Sequence, residues 1–422
     1  MMNVNSDKWT EYELGELLSY EQPTPYIVES TDYDDKYDIP VLTAGKSFLL
    51  GYTNEEHGIY DRLPVIIFDD FTTASQYVNF KFKVKSSAMK ILQPNTELVL
   101  PKFIYYRMQI IQFDHSTHKR YWIQQYSKIK VSVPPLDLQK QIVTKIEEML
   151  SQLDDGVETL NKTKAQLKVY RQAVLKEAFE GKYTREWREN NTHIIPMYDF
   201  EKIEIKNCFF KDVSGDENEI KLNLPVGWRK TRLGEVFDVQ VGSTPSRKMA
   251  EYWNGEIAWV SSGEVHFETI NKTIECITED GLNNSSTNVQ PIGSVLLAMI
   301  GEGKTRGQAA ILNIPAAHNQ NTAAILVSET PCIPKYIYYF LQLNYDNTRR
   351  VGSGNNQKAL NKERVKAIHF PFCSFVEQEI IVQEIESRLS VCEQIEKSVD
   401  LALQQAEALR QSILKKAFEG EI

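Results

Sequence analysis

Side chains suited to pairing with nucleic-acid bases collect in a few loops of this 422-residue chain. Arginine, glutamine and asparagine make paired hydrogen bonds to base edges, while lysine and hydroxyl groups bind phosphates. Three such loops lie in the second half of the chain, at 243–248, 301–308 and 352–358. In the first half, residues 119–125 are the richest cluster, with Thr72-Thr73 as a further candidate. The chemistry would be the reading of DNA bases, and the alternative for each loop is an ordinary polar turn.

The individual candidates for DNA contact share an amide, guanidinium, ammonium or hydroxyl group in one of these loops. They are Lys119, Arg120, Tyr121, Gln124, Thr244, Arg247, Lys248, Lys304, Arg306, Gln308, Asn355, Asn356, Gln357 and Lys358. The stretch 318–321 could also present a base reader, although a structural turn is the favoured interpretation of it.

Other kinds of chemistry lack their residues in this sequence. The stretch 301–305 suggests a phosphate-binding loop, but that motif needs a glycine where Ala298 stands. Asp69 and Asp70 have no histidine or further acid at ligand spacing, so a surface turn is favoured over a metal site. The seven histidines form no cluster. Neither a glycine-rich cofactor loop nor the Asn-Pro-Pro-aromatic motif of an adenine methyltransferase is found, so we expect no catalytic site, metal or cofactor in this chain.

Composition limits the class of protein. The length predicts more than one domain, and a hydrophobic fraction of 42% is enough to form real cores. A net charge of −9 argues against a simple basic nucleic-acid binder, although the segment 225–372 is slightly basic. The sequence shows no signal segment and no apolar run long enough to span a membrane, so we expect a soluble cytoplasmic protein. The five cysteines stand singly, which predicts reduced thiols.

One stretch of sequence occurs twice and must position these loops. Residues 139–181 and 378–420 share a Leu-Lys-x-Ala-Phe-Glu-Gly ending, and Arg171-Gln172 falls on Arg410-Gln411. Both copies lack proline, end at glycine and carry apolar residues at steps of four and three, so each is predicted to be a long helix. A stripe held over several heptads favours a coiled-coil seam between the two. The alternative is two separate helices, each lying on its own domain.

The residues expected to pair these helices or to dock a partner are apolar and share heptad positions. They are Ile142, Ile146, Leu153, Leu160 and Leu167 in the first helix, and Ile381, Ile385, Ile395, Val399, Leu409 and Ile413 in the second.

The stretch ahead of each long helix has the marks of a mixed α/β domain. Buried strands are predicted at 63–68 and 293–299, and helices at 101–112 and 334–343. Tryptophans 9 and 228 are each expected to begin a short helix. The fold class is therefore α+β with an internal duplication. Its expected parts are a domain at 1–135, a helical region at 136–182, a connector at 183–224, a second domain at 225–372 and a second helical region at 373–422.

With these motifs the chain resembles the specificity subunits of type I restriction-modification systems. The resemblance is carried by Leu224-Pro-Val-Gly-Trp228, by Pro134-Pro-Leu-Asp-Leu-Gln139, by Gly181-Lys-Tyr-Thr-Arg-Glu-Trp-Arg188 and by the repeated helix ending. It covers almost the entire chain. The chain departs from the pattern where the second helix begins, because Phe370-Pro-Phe-Cys373 lacks the double proline. The first domain also lacks a clear Pro-x-Gly-Trp lead.

The resemblance implies a non-catalytic, DNA-reading protein. Each of two target-recognition domains would read one half of a split double-stranded DNA target, with two antiparallel helices as a spacer. Two modification methyltransferase subunits would dock on the helices, and restriction/translocase subunits would join them. S-adenosylmethionine, ATP and magnesium would belong to those partners. The alternative is an assembly scaffold for methyltransferase-like partners that does not read DNA.

The chain order supports the antiparallel arrangement independently of the resemblance. A first helix that delivers the chain to the second domain, and a second helix that returns beside it, must run in opposite directions. About 43 helical residues at 1.5 Å each give about 65 Å of helix. This length corresponds to roughly 19 base pairs of duplex DNA.

Overall fold

The computed structural model describes residues 9–43, 47–115, 120–191, 222–301, 303–328, 330–350 and 360–421. The chain forms two compact units. The first consists of Met1–Thr163 and Ser398–Ile422, and the second of Lys164–Lys397. Each unit therefore combines one α/β domain with part of both long helices.

The first unit holds three sheets and begins the first long helix. Its strands are β1 (Thr10–Glu13), β2 (Leu18–Glu21), β3 (Ile39–Leu42), β4 (Leu49–Thr53), β5 (Val65–Asp69), β6 (Ser75–Val78), β7 (Lys83–Val84), β8 (Met89–Pro94) and β9 (Lys130–Val133). Its helices are α1 (Leu14–Leu17), α2 (Pro101–Gln109) and the start of α3 (Leu136–Phe179). The sheets have the orders β1-β9, β2-β8-β5-β6 and β4-β3-β7.

The second unit repeats this plan. Its strands are β10 (Arg229–Arg232), β11 (Val239–Val241), β12 (Trp253–Val260), β13 (Glu268–Ile270), β14 (Glu275–Ile277), β15 (Val295–Ala298), β16 (Ala309–Leu312), β17 (Ala317–His318), β18 (Thr322–Ile325) and β19 (His369–Phe372). Its helices are α4 (Arg185–Asn190), α5 (Leu233–Val236), α6 (Glu279–Asn283), α7 (Pro334–Leu343), α8 (Tyr345–Arg350), α9 (Lys362–Lys366) and the start of α10 (Phe375–Glu419). The sheets have the orders β10-β19, β11-β18-β15-β16-β13 and β14-β12-β17.

The two domains share one topology. Strands β2, β8, β5 and β6 of the first domain correspond in order to β11, β18, β15 and β16 of the second. The three-stranded sheets correspond as well, and in both a central strand pairs antiparallel on one side and parallel on the other. The second domain adds β13, which pairs parallel with β16. The duplication expected from the sequence is therefore confirmed in the strand order.

The central strands form where the sequence is continuously apolar. Every residue of β5 and of β15 is buried, because both strands lie inside a sheet with both faces covered. Helices α2 and α7 begin with proline in the first turn, where its missing N–H and fixed φ are tolerated. The predicted strands and these two helices thus lie where the sequence indicated.

The short helices expected to begin at the tryptophans begin five residues later instead. After Trp9 the chain forms β1, which pairs antiparallel with β9, and α1 begins at Leu14. After Trp228 it forms β10, which pairs with β19, and α5 begins at Leu233. The original prediction was wrong because a distant strand supplies backbone partners for these residues.

The long helices pair antiparallel within each unit. In the first unit, Ile146 near the start of α3 lies in the same hydrophobic core as Phe418 near the end of α10. In the second unit, Phe179 at the end of α3 shares a core with Ile385 near the start of α10. In both cores, the start of one helix thus meets the end of the other. The expected fold class, with two mixed domains and an antiparallel helix pair, is confirmed.

Both long helices end at a glycine in the left-handed conformation. Gly181 has a φ of 68° and Gly420 a φ of 78°, values that residues with a Cβ adopt only under strain. A Cβ on Gly181 would also lie 2.7 Å from Pro225 Cγ and from Arg188 Nη1. The shared glycine of the repeated motif is therefore the stop signal of each helix.

Candidate nucleic-acid interface

Candidate loops of the second domain converge on one end of its five-stranded sheet. In that sheet Val241, the last residue of β11, pairs with Ala323, and Ala298, the last residue of β15, pairs with Thr322. The turns after β11 and β15, and the turn before β18, therefore leave the sheet at the same end. We call this the loop end of the second domain. It brings together the predicted loops 243–248 and 301–308.

The turn between β15 and β16 is tied to the segment that follows α7. Arg306 donates from Nη2 to the backbone oxygen of Arg349 at 2.7 Å, and the Tyr345 hydroxyl donates to the backbone oxygen of Lys304 at 2.5 Å. Gln308 Oε1 lies 3.2 Å from His266 Nδ1. Arg306 thus acts first as a tether of its own loop, while the side chain of Lys304 is exposed.

The loop after β11 is anchored at two points. Thr244 donates to the side chain of Gln320 at 2.6 Å. The Arg247 guanidinium binds Glu275 and lies 3.7 Å from the centre of the Trp253 ring. Hydrogen bonding to Arg247 lowers the pKa of Glu275. Arg247 would therefore have to exchange partners in order to bind DNA, whereas Lys248 is exposed beside it.

His318 is a structural residue and not a base reader. Its ring is fully buried, with Nδ1 2.7 Å from Thr322 Oγ1, and burial lowers its pKa to about 4. Its backbone oxygen passes so close to Gly242 that a Cβ there would lie only 1.8 Å away. The interpretation of 318–321 as a turn is confirmed.

The first domain has an equivalent loop end. Asp69, the last residue of β5, pairs with Met89, the first residue of β8, and Phe68 pairs with Ser75 at the start of β6. The β5–β6 turn, which includes Thr72-Thr73, therefore leaves this sheet where the β15–β16 turn leaves the other. The segment after α2 meets this turn, just as the segment after α7 does in the second domain.

Asp70 of the β5–β6 turn is bound both to β8, through a buried ion pair, and to the segment after α2, through a hydrogen bond. Asp70 Oδ2 lies 3.6 Å from Lys90 Nζ, and both side chains are almost fully buried. Asp70 Oδ1 also accepts a hydrogen bond from the backbone N–H of Trp122 at 2.8 Å. Burial lowers the pKa of Lys90, and the charge of Asp70 opposes that shift. The prediction of a surface turn was wrong, because Asp69 and Asp70 are both buried and Lys90 from β8 neutralises Asp70 inside the domain.

The segment 120–125 divides between core and surface. Tyr121 is buried, with its ring centre 4.9 Å from that of Phe113, so its predicted contact with DNA was wrong. Gln124 is exposed. The Arg120 guanidinium is also exposed and lies 6.0 Å from the centre of the Phe71 ring. Tyr121 thus anchors the loop, while its polar neighbours Arg120 and Gln124 face solvent.

Several hydrogen bonds cross-link the turn beside this loop. His115 Nε2 lies 2.9 Å from both Thr73 Oγ1 and the backbone oxygen of Thr72. Thr73 has a left-handed φ of 59°, and Asp69 Oδ1 accepts hydrogen bonds from the next backbone amides. The sequence did not single out His115, because this residue belongs to none of its motifs.

Several predicted DNA contacts lie outside the described residues. They are Lys119, Asn355, Asn356, Gln357 and Lys358. For Arg120, Gln124, Thr244, Arg247, Lys248, Lys304, Arg306 and Gln308, contact with DNA stays a prediction.

The helix seam follows one of the two heptad positions that were predicted for it. Side chains spaced by seven residues, Ile385, Cys392, Val399, Ala406 and Ile413, are all buried. Of the residues predicted for the seam, Ile142, Ile146, Leu167 and Ile381 are also buried, and Leu153 and Leu160 are partly buried.

At the other predicted seam position Ile381 is buried, but farther along α10 the contact with the other helix falls one residue later than predicted. Ile395 is 40% exposed and Leu409 is 50% exposed, so both lie off the seam. The next residues, Glu396 and Arg410, make ion pairs with Arg171 and Asp154 of the other helix. Because these positions are charged, a search for apolar periodicity passed over them.

Apolar side chains remain exposed along the outside of the long helices. In the second unit Val169 and Val391 are exposed, and in the first unit Leu401 and Leu409 are exposed.

A matched pair of buried glutamines was missed by sequence reasoning. Gln139 accepts from the N–H of Leu100 at 2.7 Å and donates to the backbone oxygens of Leu98 and Pro134. Gln378 accepts from the N–H of Ile333 at 3.0 Å and donates to the backbone oxygen of Cys373 at 3.0 Å. The two occupy the same place in the duplicated helices, which was the available signal.

No group of metal-ligating side chains was found in the parts of the chain that the structure describes. Among the same residues, none of the helices is both long and apolar enough to cross a membrane.

Comparison with known proteins agrees with the duplicated architecture. A family model for the type I restriction modification DNA specificity domain matches residues 6–169 and again 225–404. The specificity subunit of the type I restriction enzyme EcoR124I/EcoR124II from Escherichia coli is 31% identical over 417 residues. That alignment covers 94% of this chain and 92% of the relative.

Two solved structures share the fold. A chain from a structural study of complex assembly and conformational transition in the type I R-M system has a TM-score of 0.68, with 17% identity and 98% of both chains covered. The HsdS subunit from Thermoanaerobacter tengcongensis has a TM-score of 0.51, with 17% identity and coverage of 98% of this chain and 97% of that one. The two family matches fall on the two domains and the helices that follow them. The chain therefore belongs to the type I restriction modification DNA specificity family, as its repeated motifs suggested.

Proposed function

We propose that this DNA specificity subunit reads a split target in double-stranded DNA, one half with each domain. The loop end of each domain would face one half-site. The paired helices would set the distance between the half-sites, which fixes the gap in the target. The chain would contribute recognition and no chemistry of its own.

The observation that carries this proposal is the repetition of the loop end. In both domains the turn after the central buried strand meets the segment after a proline-led helix, although different bonds join them. Exposed groups suited to bases or phosphates lie on these turns, including Arg120 and Gln124 in one domain and Lys304 in the other. Two such surfaces on one chain match the two halves of a split site.

The partners belong to the same proposal. Two copies of a modification methyltransferase subunit would dock along the long helices, where exposed apolar residues such as Val391 and Leu401 remain uncovered. Restriction/translocase subunits would join that assembly. S-adenosylmethionine, ATP and magnesium would be bound by these partners.

The decisive experiment is to map DNA modification in cells. The chain would be co-expressed with its methyltransferase subunit, and modified adenines located across the host genome. A single two-part motif with a fixed gap is the expected result. The control omits this chain, because methyltransferase alone should then leave no such motif.

One alternative has support of its own. The net charge of −9 and the exposed apolar residues on the helices favour an assembly scaffold that does not read DNA. In that case a stable complex would form with the methyltransferase, but its modification would show no sequence preference. The same genome map therefore separates the two functions.

A further inference from the structure

In each domain the turn after the central buried strand presents a large apolar side chain to solvent at an equivalent position, and at the first loop end Ile123 is exposed in addition. Phe71 is 43% exposed and stands two residues after Asp69, where β5 ends. Ile300 is 45% exposed and stands two residues after Ala298, where β15 ends. Because β5 and β15 are equivalent central strands, the two residues are equivalent by topology. A single exposed apolar residue is ordinary on a protein surface, but repetition at one position is not explained by chance exposure.

The backbone holds Phe71 in this exposed position. Its N–H donates to Asp69 Oδ1 at 2.9 Å, and the N–H of Thr73 donates to the backbone oxygen of Asp69 at 2.9 Å. The Arg120 guanidinium lies 6.0 Å from the centre of its ring, at the limit for a cation–π contact. The ring therefore stands among groups that suit nucleic acid and remains largely outside the core.

Two backbone hydrogen bonds fix Met299, the residue that precedes Ile300. The N–H of Met299 donates to the backbone oxygen of Asn321 at 2.8 Å, and the N–H of Leu360 donates to that of Met299 at 3.1 Å. The exposed Lys304 lies in the same turn. This turn therefore exposes both an apolar and a positively charged side chain.

We propose that Phe71 and Ile300 are the apolar base contacts of the two domains, each packing on base edges of duplex DNA in its own half-site. This inference rests on the proposed function. In the major groove the thymine methyl group is the apolar feature that such a side chain would meet. Arg120 and Lys304 would bind phosphates and so position the apolar side chains, without reading the base sequence themselves.

The chain supplies a matched control for each residue. Phe80 is 42% exposed but follows β6, whose start lies at the loop end, so Phe80 lies beyond the opposite end of that strand. Ile292 is 53% exposed and precedes β15, again at the end away from the loops. Each control thus has the same side chain and similar exposure, but the wrong location for a contact with DNA.

The test measures binding of the purified complex with its methyltransferase subunit to two duplexes of equal length. One duplex carries the two-part motif found by the genome map, and the other a scrambled sequence. Phe71→Ala and Ile300→Ala should each lower affinity for the motif duplex about tenfold, the effect of losing one base contact. Affinity for the scrambled duplex and the salt dependence should not change, because no phosphate contact is lost. Phe80→Ala and Ile292→Ala should bind as the wild type does.

A conservative variant separates recognition from folding. Phe71→Leu keeps an apolar tip and should retain part of the preference for the motif, and all variants should share the wild-type melting temperature. If the wild type discriminates between the duplexes but Phe71→Ala and Ile300→Ala match their controls, the inference is overturned and the proposed function survives. A wild-type complex without preference for the motif duplex would overturn both.

Discussion

Lys304 and Lys272 are both exposed lysines of the second domain, but they lie at opposite ends of its main sheet. Lys304 belongs to the turn between β15 and β16. Lys272 follows β13, which runs parallel to β16 and therefore ends away from that turn. The pair allows a phosphate contact to be tested against a surface lysine of equal charge.

We expect Lys304→Ala to weaken binding of all DNA sequences alike and to reduce the salt dependence of binding by about one unit in the log–log slope, because one phosphate contact is lost. Fluorescence anisotropy of a labelled duplex across a range of salt concentrations would measure both. Lys272→Ala is the control and should leave the slope unchanged. Equal slopes for the two variants would remove Lys304 from the interface.

His318 should make the stability of the second unit depend on pH. Its pKa is lowered to about 4 in the folded protein, from an ordinary value of 6.5, so the unfolded chain binds a proton first as pH falls. Stability from this residue is therefore complete above pH 6.5 and is lost between pH 6.5 and 4. Between pH 7 and pH 5 the loss should be about 2 kcal/mol.

Urea unfolding at several pH values would measure this effect. The comparison is with His318→Gln, which keeps a neutral hydrogen-bonding group but has no proton to gain. Its stability should fall less over the same pH range. An identical pH profile in the two proteins would contradict the assignment.

The sequence indicated which segments carry side chains suited to DNA more reliably than it indicated which residues of those segments are exposed. The concentration of polar groups around 120–125 and 301–308 was visible in the sequence, and both segments do reach a loop end. The burial of Tyr121 was not visible, because it depends on the backbone of Asp70, which is distant in sequence, as well as on the nearby ring of Phe113. The Asp70–Lys90 pair was hidden for the same reason, since its partners come from different strands.

At the scale of elements, the long helices were predictable in extent but not in rotation. Their apolar steps and terminal glycines fixed the location of α3 and α10 to within a few residues. The second seam position was misplaced because Glu396 and Arg410 fill it with charge. Apolar periodicity cannot register a contact that is made by an ion pair.

Ile413 and Leu409 test the rotation of α10 directly. Ile413 is 4% exposed and belongs to the core of the first unit, whereas Leu409 is half exposed. Ile413→Asp should destabilise the protein by about 3 kcal/mol or more, because it leaves an unpaired charge in the core. Leu409→Asp should change stability by less than about 1 kcal/mol. Chemical denaturation of both variants checks the prediction, and a larger loss for Leu409→Asp would restore the earlier seam.

Gln139 joins the long helix α3 to its domain through a single amide. Gln139→Leu would leave the N–H of Leu100 and the backbone oxygens that it bonds without a partner, and should cost about 1–3 kcal/mol. Gln172→Leu on the exposed face of the same helix is the control and should be nearly neutral. Denaturation in urea would compare them, and equal stabilities would show that the buried amide does not hold the joint.

For the whole molecule, the duplication of domains predicts that substitutions in one domain alter the recognition of only one half of the target. Gln124→Ala should relax one half of the modified motif and leave the other intact, because an amide can read base edges. Gln308→Ala should relax only the opposite half. Genome mapping of modified adenines would read out both, and degradation of both halves by either variant would contradict independent reading.

The architecture as a whole was the most predictable level. Two copies of one helix ending, together with tryptophans at matching places in the two domains, predicted an alternation of domain and helix before any contact was known. The strand order β11-β18-β15-β16 was not predictable, because it depends on pairing between strands far apart in the chain. The loop ends follow from that order, so the sequence supplied their residues but not their assembly.

The core of the first unit contains Ile413, Leu414, Ala417 and Phe418 from the end of α10 beside residues of the first domain. On the ribosome, those residues emerge only after the entire second domain has been made. The first domain would wait throughout translation with an apolar surface uncovered. A nonsense mutation just before Ile413 would consequently destabilise the first domain, although the whole second domain lies between them in the sequence.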